Sequence, residues 1–171
     1  MTTINFRAPW GHTVRATTLL AVGVLALVML AAIFPPMPRP LLAVVLLIGL
    51  PPLILAVAFA YAVRGYTLTE DAIVVQRWMR NIRLPLAGLR TVTGDVDAMR
   101  GSLRVFGNGG VFSFTGRYWN RRLGWYRAFA TDSGRAVVLR YADRTIVITP
   151  HDPQHFIMRA RTLIKVADFP Q

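Results

Sequence analysis

The residue types best suited to binding chemistry are concentrated in one stretch of the sequence, residues 97–124. It combines six glycines with five interleaved aromatic residues and five arginines. Backbone N–H groups beside glycine, together with guanidinium groups, can hold a phosphate. Tryptophan and tyrosine are typical of the headgroup level of a membrane. One interpretation is therefore anionic-lipid recognition, with these candidate contacts: Asn108, Gly109, Gly110, Arg117, Tyr118, Trp119, Arg121 and Arg122.

The same stretch also has a purely structural interpretation. Asn108-Gly109 is a dipeptide typical of tight turns, and the aromatic side chains could fold back over the core of a domain. The stretch is too long for an ordinary connection between two strands. The sequence alone leaves both interpretations open.

Catalytic and metal chemistry have little support. His151 and His155 have the i, i+4 spacing of metal ligands, but His151 precedes a predicted helix and no third ligand lies nearby. Asp95 and Asp97 end a predicted strand beside arginines, which favours surface ion pairs over a pair of catalytic carboxylates. The glycines of residues 107–110 lack the Lys-Ser/Thr of a P-loop, and the chain has no cysteine for a thiolate or a disulfide. We therefore predict no catalytic residue, no metal and no cofactor.

The charged residues are distributed unevenly along the chain. The 171 residues are 54% hydrophobic and 16% charged, with a formal net charge of +12. Residues 64–171 contain 17 of the 20 basic residues and all eight acidic ones, a net charge of +9. This division excludes a uniform soluble globule and a disordered chain, and it predicts a membrane segment joined to a small polar domain. No nucleic-acid-binding motif accompanies the basic charge, so an anionic membrane surface is favoured over nucleic acid as its partner.

Two uncharged apolar runs, residues 16–34 and 41–63, precede the polar part. Each is close to the ~20 residues that a helix needs to cross a ~30 Å hydrocarbon core. Four prolines in residues 35–40 predict a turn between two antiparallel spans. The first run is longer than the apolar region of a signal peptide and a second follows at once, so we predict that both remain in the membrane. Pro51-Pro52 predicts a packed kink, because neither run holds an ionisable residue that would mark a transport path.

Arginines flank the two apolar runs on one side. Arg7 and Arg15 precede the first run, only Arg39 lies between the runs, and four arginines follow the second within about 20 residues: Arg64, Arg77, Arg80 and Arg83. Because positive residues stay on the cytoplasmic side, both termini are predicted to be cytoplasmic.

The polar part alternates short β-rich runs with turn residues. Seven strands are predicted, at residues 66–69, 72–78, 82–86, 89–96, 125–131, 136–141 and 145–149. Asp152 is placed to cap a final helix that begins with Pro153. Its apolar stripe comprises Phe156, Ala160, Leu163, Ile164 and Ala167, with Arg159, Arg161 and Lys165 off the stripe.

Seven antiparallel strands, four plus three, followed by one helix are the pleckstrin-homology order. Residues 64–167 resemble the small bacterial membrane proteins that carry a PH-like domain. The resemblance rests on residues 66–69, 73–75, 82–86, 106–112, 116–118, 130–131, 147–150 and 152–153, with Trp125. It implies a PH-like fold, no catalytic activity and no agreed ligand, and it supplies no binding residues.

We therefore predict a membrane-anchored α+β protein. Residues 1–63 comprise an N-terminal tail and a transmembrane helix pair in the bacterial inner membrane, and residues 64–171 a cytoplasmic PH-like, seven-stranded antiparallel barrel or sandwich with a C-terminal helix. The predicted function is a non-enzymatic interaction or scaffolding module, acting on a membrane protein or a second copy of the chain. The alternative is recognition of anionic lipid headgroups by the loop 97–124.

Overall fold

The computed structural model describes residues 3–34 and 40–168, with side chains up to Ile164. Its α-helices are α1 (His12–Ile33), α2 (Leu41–Ala60) and α3 (Pro153–Asp168). The predicted proline-rich turn, apart from Pro40, lies outside the described residues, and so do the side chains of Lys165 and Ala167.

The first two helices, α1 and α2, pair with each other and contain 22 and 20 residues. By length and composition both could cross a membrane, and only 11% and 6% of their most apolar windows are buried. They are therefore not core helices of the part that the structure describes. α1 begins about one turn earlier than predicted, and α2 ends at Ala60 because Val63 already starts a strand. α2 continues through Pro51-Pro52 without interruption.

Ten strands are formed by the described residues. Their bounds are β1 (Ile4–Arg7), β2 (Val63–Leu68), β3 (Ala72–Arg77), β4 (Ile82–Pro85), β5 (Leu89–Gly94), β6 (Leu103–Gly109), β7 (Phe114–Asn120), β8 (Gly124–Ala130), β9 (Val137–Tyr141) and β10 (Thr145–Ile148). They form a four-stranded sheet in the order β1-β2-β3-β4 and a six-stranded sheet in the order β5-β9-β10-β8-β7-β6. All seven predicted strands are present, and β1, β6 and β7 are additional.

The arrangement of the sheets confirms the sandwich form of the predicted barrel or sandwich and corrects its strand number and its purely antiparallel pairing. The two sheets form an open sandwich rather than a closed barrel. β10 lies between β9 and β8, and it pairs with β8 in parallel, with Ile146 opposite Arg127. This parallel pair arises because the chain crosses from β8 to β9 before returning through β10 to the position between them.

The residues before α1 form a strand that the sequence analysis placed in a tail. β1 pairs antiparallel with β2, from Ile4 opposite Leu68 to Arg7 opposite Gly65. Phe6 is buried and packs edge-on against Phe156 of α3, with ring centroids 5.0 Å apart. The chain segments on both sides of the helix pair are therefore hydrogen-bonded into one sheet, which ties both ends of the pair to the domain.

Within residues 97–124, residues 103–120 form a β-hairpin, so the prediction of one long loop there is wrong. β6 and β7 pair antiparallel, and β7 pairs with β8. Gly107 and Gly116 lie opposite each other with φ of 113° and 138°. A Cβ atom on either would collide with the backbone of the facing strand, because the two strands approach too closely there. The glycines that suggested a loop are thus required for the pairing.

The core lies between the sheets and under α3. Phe156 and Ala160 of α3 are fully buried, and Asp152 Oδ1 accepts a hydrogen bond from His155 N at 3.0 Å, as a helix cap does. Tyr66 is fully buried, and its hydroxyl donates to Phe129 O at 2.6 Å. Burial raises the pKa of Tyr66 to about 12, so the phenol is neutral in the folded domain.

Candidate functional site

One face of the strands β6, β7 and β8 carries a basic and aromatic surface. Strand residues two apart share a face, so Thr115, Arg117 and Trp119 of β7 point the same way. The register places Arg117 directly opposite Arg127 of β8, and Phe106 of β6 on the other side of Arg117. Three strands thus present one cross-strand row with two guanidinium groups in adjacent positions.

This face and the helix pair enclose a groove of about 1030 Å³. On the helix side it is lined by apolar residues of α1 and of α2, the latter between Leu53 and Ala58, and by Tyr61 just after α2. On the sheet side it is lined by four arginines, namely Arg77, Arg104, Arg117 and Arg127. The groove is therefore amphipathic, with one apolar wall and one cationic wall.

The cationic wall has no carboxylate to balance it within the described residues. The described lining of the groove includes no aspartate or glutamate. Five aspartates form ion pairs with arginines outside the wall, namely Asp71, Asp95, Asp97, Asp132 and Asp143. The Arg77 and Arg127 guanidinium carbons lie 5.3 and 5.2 Å from the Phe129 ring centroid. Arg77 Nε is buried without a hydrogen-bond partner. Burial, and then the charge of Arg127, lower the pKa of Arg77. The wall therefore presents uncompensated positive charge.

The turn between β6 and β7 is fastened to the first turns of α1. Thr17 Oγ1 donates to Gly110 O at 2.7 Å, and Phe112 N donates to Thr18 Oγ1 at 2.8 Å. Because Thr18 is buried, its hydroxyl is satisfied by the turn and not by water. These bonds hold the cationic wall alongside the helix pair.

Aromatic rings surround the point where the helix pair meets the domain. The Phe112 ring centroid lies 5.8 Å from that of Trp10 and 5.5 Å from that of Phe59. Phe59 stacks on Trp78 at 5.3 Å, and the Arg64 guanidinium carbon lies 3.7 Å from the Trp78 ring centroid. Clusters of this composition are typical of the interface between membrane and water.

Comparison with known proteins identifies the domain that carries this face. The family model for the bacterial PH domain matches residues 64–164, more than half of the chain. The chain belongs to the bacterial PH domain family. PH domains are in general non-enzymatic binding modules. No curated protein and no solved structure matches the chain.

The backbone N–H groups beside the glycines, which were predicted to hold a phosphate, form hydrogen bonds within the protein instead. Asn108 Oδ1 accepts from Gly110 N at 3.2 Å and from Val111 N at 3.0 Å, and Phe112 N is bonded to Thr18. Tyr118, although predicted at the headgroup level, is buried and donates to Asn108 O at 2.5 Å. Asn108, Gly110 and Tyr118 thus form hydrogen bonds within the hairpin, Gly109 pairs with Phe114, and Asn108 also lines the groove.

The predicted basic residues are divided between the middle of β7 and the turn that follows it. Arg117 lies in the groove, whereas Arg121 and Arg122 lie in the turn between β7 and β8. Arg122 Nη2 forms an ion pair with Asp95 at 3.1 Å. Trp119 is half-buried and lies opposite Trp125 on the arginine-bearing face. The structure thus brings Arg117 and Trp119 onto one face, without Arg121 and Arg122.

Arg77 and Arg127 are groove residues that the sequence analysis did not select. Arg127 lies two residues before Phe129, so the alternation along β8 could have placed both on one face. Arg77 ends β3, in the other sheet, and only the fold brings it to Phe129.

The histidines and the paired aspartates contribute to packing and ion pairs. His151 N donates to Arg7 O at 2.8 Å, and His155 packs against the Phe6 ring. Asp97 forms an ion pair with Arg100, as expected, whereas the partner of Asp95 is Arg122 of the β7–β8 turn. Among residues 3–34 and 40–168, no group of three or more His, Asp or Glu side chains could hold a metal ion.

Proposed function

We propose that this protein is a membrane-anchored, non-enzymatic binding module that holds a PH domain against the inner face of the bacterial cytoplasmic membrane. α1 and α2 insert into the bilayer, and the domain of residues 64–171, extended by β1, stays in the cytoplasm. The main support for this proposal is that two apolar helices with almost no buried surface are fastened to the domain by hydrogen bonds. An apolar surface of this size needs a bilayer or another protein to cover it.

The positions of the arginines support this orientation. Arg7 and Arg15 lie at the domain end of α1, and Arg64 and Arg77 follow the domain end of α2. The cytoplasmic surface is anionic and each nearby arginine contributes about 1 kcal/mol of attraction. The domain end of the helix pair is therefore the cytoplasmic end.

The exposed edge of the six-stranded sheet supports a role in recruiting a partner. β6 is an edge strand, and its outer residues Leu103, Val105 and Phe106 are 63%, 54% and 77% exposed. Unpaired strand edges with apolar side chains pair readily with another chain. A membrane protein or a second copy of this protein adding a strand to β6 fits the scaffolding function.

Cysteine labelling tests the proposed insertion and orientation, because the natural chain has no cysteine. Leu41→Cys marks the far end of α2, and Arg121→Cys marks the domain. In intact cells stripped of their outer membrane, an impermeant maleimide is expected to label only Leu41→Cys, and to label both after lysis. Labelling of Arg121→Cys before lysis, or recovery of the protein in the soluble fraction, contradicts the proposal.

A further inference from the structure

We propose that the groove between the arginine-bearing sheet face and the helix pair binds one anionic phospholipid. The phosphate lies between Arg77, Arg117 and Arg127, and an acyl chain lies along α2. This inference rests on the proposed function, because it requires α2 to be in the membrane.

The cross-strand arginines provide the first argument. Arg117 and Arg127 occupy directly opposite positions on β7 and β8, and like charges in such positions destabilise a sheet. Arg77, from the other sheet, adds a third guanidinium group beside Phe129 and leaves Nε buried without a partner. A buried unpartnered donor and adjacent like charges are both unfavourable, and an anion with several acceptor oxygens between the arginines offsets both.

The apolar wall provides the second argument, since it determines which anion fits. From Leu53 to Tyr61, the residue that follows α2, the wall extends for about 12 Å of helix rise. It covers roughly the last two fifths of a helix whose length matches the hydrocarbon core. The groove therefore extends from the cytoplasmic surface into the depth of the acyl chains. A free phosphate would leave this wall uncovered, whereas a phospholipid covers both walls.

The charge of the lining excludes a zwitterionic lipid as the preferred occupant. Within the described residues the groove is lined by four arginines and by no aspartate or glutamate. A choline headgroup would bring its own cation close to these arginines. A lipid with net negative charge avoids this repulsion, and basic pockets beside transmembrane helices on the cytoplasmic side bind such headgroups.

The test is native mass spectrometry of the full chain in detergent micelles. The titrants are dilauroyl phosphatidylglycerol, dilauroyl phosphatidylcholine and inorganic phosphate. We expect one phosphatidylglycerol per chain, bound at least tenfold more tightly than phosphatidylcholine and not displaced by equimolar phosphate. Arg117→Gln/Arg127→Gln, in which both residues are exposed, is expected to weaken phosphatidylglycerol binding by tenfold or more.

The matched control is Arg80→Gln/Arg121→Gln, which removes two exposed arginines outside the groove and is expected to change binding less than twofold. Equal binding of both lipids overturns the inference in favour of nonspecific apolar association with the helix pair. Equal loss of binding in both double variants overturns it in favour of general electrostatic attraction. Displacement by phosphate overturns it in favour of a simple anion site. Correct cysteine labelling without phosphatidylglycerol binding refutes this inference while the proposed function stands.

Discussion

Replacing Thr18 with valine should release the β6–β7 turn from α1. Valine keeps the shape of threonine, so the substitution removes the hydroxyl that accepts from Phe112 N at 2.8 Å and changes little else. Gly110 O loses only a 3.4 Å contact, because Thr17 still donates to it at 2.7 Å. The main cost is one N–H group left without a partner, about 1–2 kcal/mol.

The assay is amide hydrogen exchange of the full chain in lipid nanodiscs. A cost of about 1–2 kcal/mol raises the open population of the turn roughly 5–30-fold, and exchange in residues 108–114 should rise by the same factor. Exchange in β9 and β10 should not change. Thr13→Val is the matched control, since Thr13 is exposed on α1 just one turn before Thr17.

Two results would refute this reasoning. Unchanged exchange in residues 108–114 would mean that the bond to Thr18 does not hold the turn. An equal rise in every strand would mean that the substitution destabilises the whole domain rather than its attachment to α1.

Four further substitutions, of which Gly88→Ala is a control, test the fold. Gly116→Ala should cost several kcal/mol in thermal unfolding, since its Cβ meets the backbone of β6, whereas Gly88→Ala, with open space around it, should cost about 1 kcal/mol. Phe156→Ala should cost about 3–5 kcal/mol in denaturant unfolding by emptying the core under α3. The pKa of Tyr66 is about 12 in the folded state against an ordinary 10.0. Its contribution to the free energy of unfolding is therefore complete below pH 10 and is lost as pH rises towards 12. Between pH 10 and 12 the free energy of unfolding of Tyr66→Phe should depend less on pH than that of the natural chain. An identical dependence in both would contradict the raised pKa of Tyr66.

The elements with regular periodicity could be predicted from the sequence. The final helix has both a cap, Asp152, and a buried stripe containing Phe156 and Ala160, and the structure confirms both. The seven predicted strands have alternating or continuous apolar residues bounded by turn residues, which are local signals.

The remaining strands could not be predicted because their signals depend on the tertiary structure. β6 and β7 contain glycines that normally indicate loops, and only the close approach of Gly107 to Gly116 explains them. β1 has four residues and is separated from its partner β2 by the whole helix pair.

The candidate site was predicted only in part, for a related reason. Composition identified residues 97–124 as unusual and placed Arg117 among the candidates, but it could not assign each side chain to a face. Strand register separates Arg117 from the buried Tyr118, and the sandwich brings Arg77 of β3 to Phe129 of β8. Neither relation is visible within a local window of the sequence.

In the proposed arrangement the arginine-bearing face lies at the membrane surface. Spin-label accessibility in the reconstituted full chain measures this position. A nitroxide on Phe106→Cys reports from the groove, and one on Arg140→Cys reports from the exposed residue of the otherwise buried strand β9. We expect the label at Phe106→Cys to be more accessible to oxygen than to a water-soluble nickel chelate. The label at Arg140→Cys should be more accessible to the nickel chelate than to oxygen. Equal and high accessibility of both sites to the nickel chelate would contradict it.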